Sequence, residues 1–203
     1  MQLHCGIGPN SYRVRIFMAE KGIDLPRVEV DLMKGEHKLP EFLKLNSLGQ
    51  IPVLVLDDGT VITESVAICR YLEETHPTPA LFGTSAVGKA KVEMWNRRVE
   101  LEVMGTIGDV AFHTQEFFKD RVPQFPAFAE AQRHNVPNKW TWFDKEMADG
   151  RPFIAGDGFS IADITAGVCA WLGDFFELER PASLRNVNRW LERVRSRPRW
   201  ITS

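Results

Sequence analysis

The spacing of apolar and polar positions changes character once along the chain, near residue 76. Before that point, short apolar runs alternate with helical periods. Leu3 to Cys5 predicts a brief strand, and the turn-rich Gly6-Ile7-Gly8-Pro9-Asn10 follows it. Val14, Phe17, Met18 and Lys21 recur at helical spacing, with Gly22 placed to end the helix. Arg27 to Asp31 alternates around Val28 and Val30, as a half-buried strand does. Phe42, Leu43 and Leu45 suggest a short helix or irregular segment, and Pro52-Val53-Leu54-Val55-Leu56 is an apolar strand. Asp57-Asp58-Gly59 is too short a turn to join anything but antiparallel neighbours, so Thr60 to Thr63 completes a hairpin. A helix from Glu64 to Thr75 carries Ile68, Cys69 and Leu72 on its inner stripe. This order predicts a mixed sheet with helices on its faces.

His76-Pro77-Thr78-Pro79 cannot continue a helix and reads as a short stiff linker. Beyond it strand signals vanish. Ala86 to Lys119 is a long helical pattern with Trp95, Val99, Val103 and Ile107 at four-residue spacing. Pro123 and Pro126 are expected to break it, with helix resuming from Val136 to Met147. Ile161, Ile164, Thr165, Val168, Cys169 and Leu172 form an amphipathic helix, and Leu184, Val187, Trp190, Leu191 and Val194 another. The expected organisation is an α/β domain over residues 1–76, a linker over 77–83 and an all-α helical domain over 84–203. Ser160-Ile161-Ala162-Asp163 sets an acid three residues after a helix-capping serine. Both residues are therefore read as structural, with Asp163→Ala expected to cost about 0.5–2 kcal/mol.

Composition narrows the functional classes. The 203 residues are 44% hydrophobic and 26% charged, with a formal net charge of -2, which gives no electrostatic reason to expect nucleic acid or an anionic membrane as partner. Met1 to Gly8 lacks the pattern of a signal peptide, and no apolar run approaches membrane-spanning length, so a cytoplasmic protein is expected. Cys5, Cys69 and Cys169 are far apart and odd in number, which argues against a disulfide framework or a zinc site. Cys5 ends a strand, where a cysteine is usually an inert core residue. Met104, Gly108, Phe112, His113 and Trp171 fit core packing as well as a cleft, and no site is assigned from them.

Three segments carry a resemblance. They are Gly8-Pro9-Asn10-Ser11-Tyr12-Arg13-Val14-Arg15-Ile16 with Ala19-Glu20-Lys21-Gly22 behind it, Asn46-Ser47-Leu48-Gly49-Gln50-Ile51-Pro52-Val53-Leu54 with Asp58-Gly59 and Thr63-Glu64-Ser65, and Phe159-Ser160-Ile161-Ala162-Asp163-Ile164-Thr165. In order and spacing they resemble the glutathione transferase superfamily over nearly the whole chain. The resemblance implies the glutathione transferase fold, an α/β thioredoxin-like N-terminal domain followed by the all-α helical domain, and a two-fold homodimer. It implies glutathione as co-substrate, with a small electrophile or disulfide as the second substrate.

The resemblance also implies site residues. A cis bond at Ile51-Pro52 would expose backbone to the cysteinyl part of glutathione; the other reading of Pro52 is an ordinary proline opening a strand. Glu64 and Ser65 stand where a strand gives way to a helix, a place suited to a carboxylate. There Ser65 would add a donor and Glu64 would accept from the α-ammonium of the γ-glutamyl group. A plain helix start is the other reading. Gln50 and the His37-Lys38 pair lie where relatives contact the ligand backbone or its glycyl carboxylate, with the cation of Lys38 the better carboxylate partner.

The thiol-activating position departs from the family pattern. Serine-type members carry a hydroxyl donor, and some redox members a cysteine, where this chain has Gly8. A class with disulfide-reductase activity on glutathione conjugates is similar in having asparagine at the position of Asn10. Asn10 is therefore the expected thiolate donor, with Ser11 and its backbone N–H assisting; both residue types are also favoured helix N-caps. The expected function is a glutathione transferase-like enzyme, conjugating electrophiles or reducing disulfides or peroxides. The alternative is a non-catalytic protein of the same fold that holds glutathione or an apolar ligand.

Overall fold

The computed structural model describes residues 1–119 and 121–200; Asp120 and residues 201–203 of the expected helical domain lie outside the described residues. The described residues form two compact units, one of Met1–Ala80 together with Arg199 and Trp200, the other of Leu81–Pro198.

The first unit holds strands β1 (Gln2–Cys5), β2 (Arg27–Glu29), β3 (Val53–Val55) and β4 (Val61–Ile62) in the order β2-β1-β3-β4. β1 and β2 run parallel, joined across helix α1 (Pro9–Lys21). β3 runs antiparallel to β1 and turns into β4 with Leu54 opposite Ile62. Alternation along β3 divides the sheet faces. Val53 and Val55 pack with Val30 against Phe42 and Leu45 of helix α2 (Pro40–Leu45). Leu54, fully buried, points the other way, toward the face where α3 (Ser65–Thr75) lies against α1.

Gly22 ends α1 in the left-handed conformation, and its N–H closes back on Ala19 O. Just before it, the Lys21 ammonium is fully buried. It donates to Glu73 Oε2 at 2.7 Å, His76 O at 2.6 Å and Pro79 O at 2.7 Å, so one cation ties the ends of α1 and α3 to the segment after them. The bonds Ile51–Pro52 and Thr78–Pro79 are both cis.

In the second unit α4 (Ala86–Val99) runs through π-type turns at Glu100–Met104 into α5 (Gly105–Thr114). The helix thus ends at Thr114 rather than Lys119. A side chain every four residues drifts about 40° per turn from a 3.6-residue helix, so Trp95, Val99, Val103 and Ile107 would wind off one face. The wider π turns fall within that stretch and all four residues are buried. Helix α6 (Pro126–Glu146) starts ten residues earlier than its apolar pattern suggests. Pro126 occupies its first turn, where a missing N–H costs nothing, and Pro137 lies inside it. Helices α7 (Ile161–Phe175) and α8 (Arg185–Arg195) complete the unit. α7 is its central helix, with Ile161 through Ala170 all buried. No helix among the described residues is long and apolar enough to cross a membrane.

Asp163 does more than cap α7. Its Oδ2 accepts from the Ser160 N–H at 2.9 Å and hydroxyl at 3.0 Å, while Oδ1 accepts from Ile154 N–H at 2.9 Å and Trp190 Nε1–H at 2.8 Å. The carboxyl is fully buried and joins α7, the preceding loop and α8, so the capping range expected from sequence understates its weight.

Candidate functional site

The expected site residues all belong to the first unit, at the starts of α1 and α3 and in the loops that precede β3. α1 begins at Pro9 behind Gly8, whose φ of 155° and ψ of 158° suit glycine far better than a residue with a side chain. This backbone gives a physical reason for a glycine where a hydroxyl residue would otherwise be expected. Gly8 is also the N-cap, so neither Asn10 nor Ser11 fills that role. Asn10, in the first turn, is exposed. Ser11 is 1% exposed and its Oγ accepts from Gly6 N–H at 3.4 Å, so its hydroxyl turns into the preceding loop.

α3 begins at Ser65 behind Glu64, which is exposed and held at φ 64°, ψ 118°, a conformation rarely adopted by residues with a side chain. The Glu64 carbonyl accepts from Ile68 N–H at 2.9 Å to open the helix, and the Glu64 side chain makes no capping bond. The first N–H groups of the helix therefore have no intrahelical partner, and the positive end of its dipole lies beside an exposed carboxylate. Ser65 is 5% exposed. Its Oγ accepts from Arg13 Nη1 at 2.7 Å and donates to Asn10 Oδ1 at 3.5 Å. The starts of α1 and α3 are thus joined through one hydroxyl.

The loop before β3 is organised by Asn46. Its Nδ2 donates to Gln50 O at 2.8 Å and its Oδ1 accepts from Leu48 N–H at 3.1 Å. Lys38, at the end of a 3-10 turn over Glu36–Lys38, donates from Nζ to Leu48 O at 3.0 Å. Gly49 lies so close beneath this lysine that a Cβ there would stand 2.7 Å from His37 O and 2.8 Å from Lys38 Nζ, and its φ is 59°. Lys38 and Gln50 are both exposed, Ile51 is half-buried and Pro52 is buried. Ile51 links this loop to the start of α1: its Cδ1 would lie 3.1 Å from a Cβ on Gly6, the residue whose N–H meets Ser11.

The structure therefore brings Asn10 to Ser65, and Lys38 to the loop that carries Gln50. Two residues carry geometry that sequence reasoning did not single out. Arg13 is 1% exposed within a helix, where an arginine ordinarily reads as a solvated surface residue. Asn46 was legible in principle, since asparagine before Ser-Leu-Gly favours a side-chain-to-backbone turn.

The chain's own thiols are poorly placed for chemistry. All three cysteines are free and buried. Burial, aided by Glu29, pushes the Cys5 thiol above its ordinary value, and burial pushes Cys69 further still. The first unit instead offers donors and charges of both signs at its candidate residues. The first N–H groups of α3 and the Ser65 hydroxyl backed by the Arg13 guanidinium are donors, Lys38 adds an ammonium in the loop before β3, and Glu64 adds an exposed carboxylate.

A thioredoxin-like unit with two open helix starts, followed by a helical unit, defines the class, and sequence comparison agrees. Residues 7–75 match the family model of the glutathione S-transferase N-terminal domain, and residues 126–193 that of the C-terminal domain. The chain is 36% identical over 195 residues to glutathione S-transferase 2 of Saccharomyces cerevisiae, covering 94% of this chain and 83% of that protein. The crystal structure of Gtt2 from the same yeast superposes with a TM-score of 0.91 at 34% identity, over 98% of each chain. A glutathione S-transferase domain-containing protein of Marinobacter aquaeolei superposes with a TM-score of 0.93 at 33% identity, over 99% of this chain and 100% of that one. The chain belongs to the glutathione S-transferase family and has its fold. Its relatives support a glutathione transferase-like function over passive ligand holding.

Proposed function

We propose that this protein binds glutathione in its first unit and activates the thiol for transfer to a small electrophile, with reduction of disulfides or peroxides drawing on the same thiolate. The observation that carries the reading is the convergence of two helix starts on Ser65, with Asn10 Oδ1 3.5 Å from its hydroxyl. Glutathione, when bound, supplies the sulfur nucleophile, in keeping with a chain whose own cysteines are buried.

Glu64 accepts from the γ-glutamyl ammonium, while Ser65 and the first N–H groups of α3 take the neighbouring carboxylate. Lys38 pairs with the glycyl carboxylate, and Gln50 with the backbone beside the cis Ile51–Pro52 bond takes the middle of the peptide. Asn10, exposed at the start of α1, donates its amide N–H toward the sulfur. Ser11 assists through its backbone N–H, since its hydroxyl is buried. Donors and the helix dipole together lower the thiol pKa by favouring the thiolate. The protein works in the cytoplasm as a homodimer, as expected for this family.

The test is ultraviolet difference spectroscopy of glutathione titrated with the protein across pH, in wild type and Asn10→Ala. A thiolate band that forms below the free thiol pKa, and shifts up by about one unit in the variant, is the expected result. Calorimetric binding without any thiolate band would return the protein to the ligand-holding reading. An absence of binding would remove glutathione altogether.

A further inference from the structure

We infer that Arg13 is a positioning residue for glutathione binding, acting through Ser65 rather than by touching the ligand. This rests on the reading of Ser65 as a ligand contact. Arg13 sits on α1 between the buried Ser11 and Val14, and it is 1% exposed, so its guanidinium lies behind the site rather than in it. Nη1 donates to Ser65 Oγ at 2.7 Å, across 52 positions of sequence.

That bond decides what Ser65 can do. A hydroxyl has one proton to give and lone pairs to receive. With a guanidinium donating to its oxygen, Ser65 has its own proton left for a partner on the far side. In this structure that proton is turned to Asn10 Oδ1 at 3.5 Å, a long bond that is easily exchanged for a shorter one. An arriving carboxylate is the stronger acceptor, and the hydroxyl between a cation and an anion is polarised by both. Arg13 thereby turns a hydroxyl that could accept or donate into a dedicated donor, and adds a positive charge behind the start of α3.

The test is a double-mutant cycle. The dissociation constant for glutathione is measured by calorimetry, and KM and kcat with 1-chloro-2,4-dinitrobenzene, for wild type, Arg13→Lys, Ser65→Ala and the double variant. Lysine keeps the charge but not the planar fork that fixes the bond. Ser65→Ala is expected to weaken glutathione binding about tenfold and Arg13→Lys about threefold to tenfold, in KM as in the dissociation constant, with kcat changed less than about twofold. The double variant should bind no more than about twofold more weakly than Ser65→Ala, because the route from Arg13 to the ligand runs through the Ser65 hydroxyl. Losses that multiply would overturn the inference, as would full affinity in Arg13→Lys beside weakened Ser65→Ala. Full affinity in Ser65→Ala would overturn the reading of Ser65 and this inference with it. Should Arg13→Lys fail to fold, nitrogen-15 spectra of the Arg13 guanidinium decide the matter in wild type and Ser65→Ala. A glutathione-induced shift in wild type that shrinks in Ser65→Ala supports the coupling, and no shift in wild type overturns it.

Discussion

The starts of α3 and α7 are built from similar residues and finished in opposite ways. Each has a serine and an acid within its first turn or just before it. At α7 the acid folds back: Asp163 takes four donors from Ser160, Ile154 and Trp190, and the helix end is closed by the protein's own carboxylate. At α3 the acid makes no such bond: Glu64 is the N-cap, at a positive φ, with its carboxylate exposed. The Ser65 hydroxyl is engaged instead with Arg13 and Asn10. A helix start closed from within supports the fold, and one left open keeps N–H groups that an anion from outside can meet.

The largest expected effect tests the closed end. Asp163→Ala removes the acceptor for two backbone N–H groups, a hydroxyl and an indole N–H in a buried place, and should lower unfolding free energy by about 3–5 kcal/mol in urea titrations. A loss within the ordinary capping range would mean that water or neighbouring groups take over these donors.

The same carboxyl makes a pH prediction. Burial raises its pKa to about 6 although four hydrogen bonds pull it down. Between about pH 4, where an unfolded aspartate titrates, and about pH 6, the native state holds the proton more tightly. Its contribution to stability is therefore complete below pH 4 and falls by up to about 3 kcal/mol as pH rises through 6. Urea titrations at several pH values, with Asp163→Asn as the reference lacking this titration, would show that slope in wild type alone. Equal slopes would remove Asp163 as the cause.

At the open end the expected effects are smaller and fall on binding. Ser65→Ala should weaken glutathione binding about tenfold, or about 1.4 kcal/mol, and lower the thermal midpoint modestly because the buried Arg13 loses an acceptor. A large loss of stability with intact affinity would make α3 another structural helix start. Glu64→Gly separates the two roles most finely. Relief of the positive φ should stabilise the protein by about 1 kcal/mol while glutathione binding weakens. Loss of stability in that variant would show that Glu64 supports the fold.

Much of the architecture was legible in the residue pattern. The Asp57-Asp58-Gly59 hairpin, Gly22 as a helix stop and the buried stripe of α7 all depend on neighbours within a turn or two, which is the range that pattern reading covers. The break before Pro126 is present, but helix resumes at Pro126 itself rather than at Val136, because proline both ends one helix and begins another and only the chain before it decides which. The strict four-residue spacing in Ala86 to Ile107 was a visible sign of π turns, yet it also fits an ordinary helix over a short span. In the site, Glu64, Ser65, Gln50 and Ile51-Pro52 were legible as a motif, but the burial of Ser11 and Arg13 was not. Alternation and periodicity rate a charged or hydroxyl residue as solvent-facing unless something distant receives it.

The sequence by itself determined the order of strands and helices, that Gly22 and the Ser160–Asp163 pair shape helix ends, and which family motifs the chain carries. Only the tertiary structure decided that Arg13 would be received by Ser65, 52 residues away, that Asn10 would meet the same hydroxyl, and that Trp190 would reach Asp163 across 27 residues. The physical reason is range. Caps, turns and periodic stripes are set by bonds between close neighbours in the chain. A buried polar group is stable only if a partner arrives from elsewhere, and that partner is known only when the elements pack.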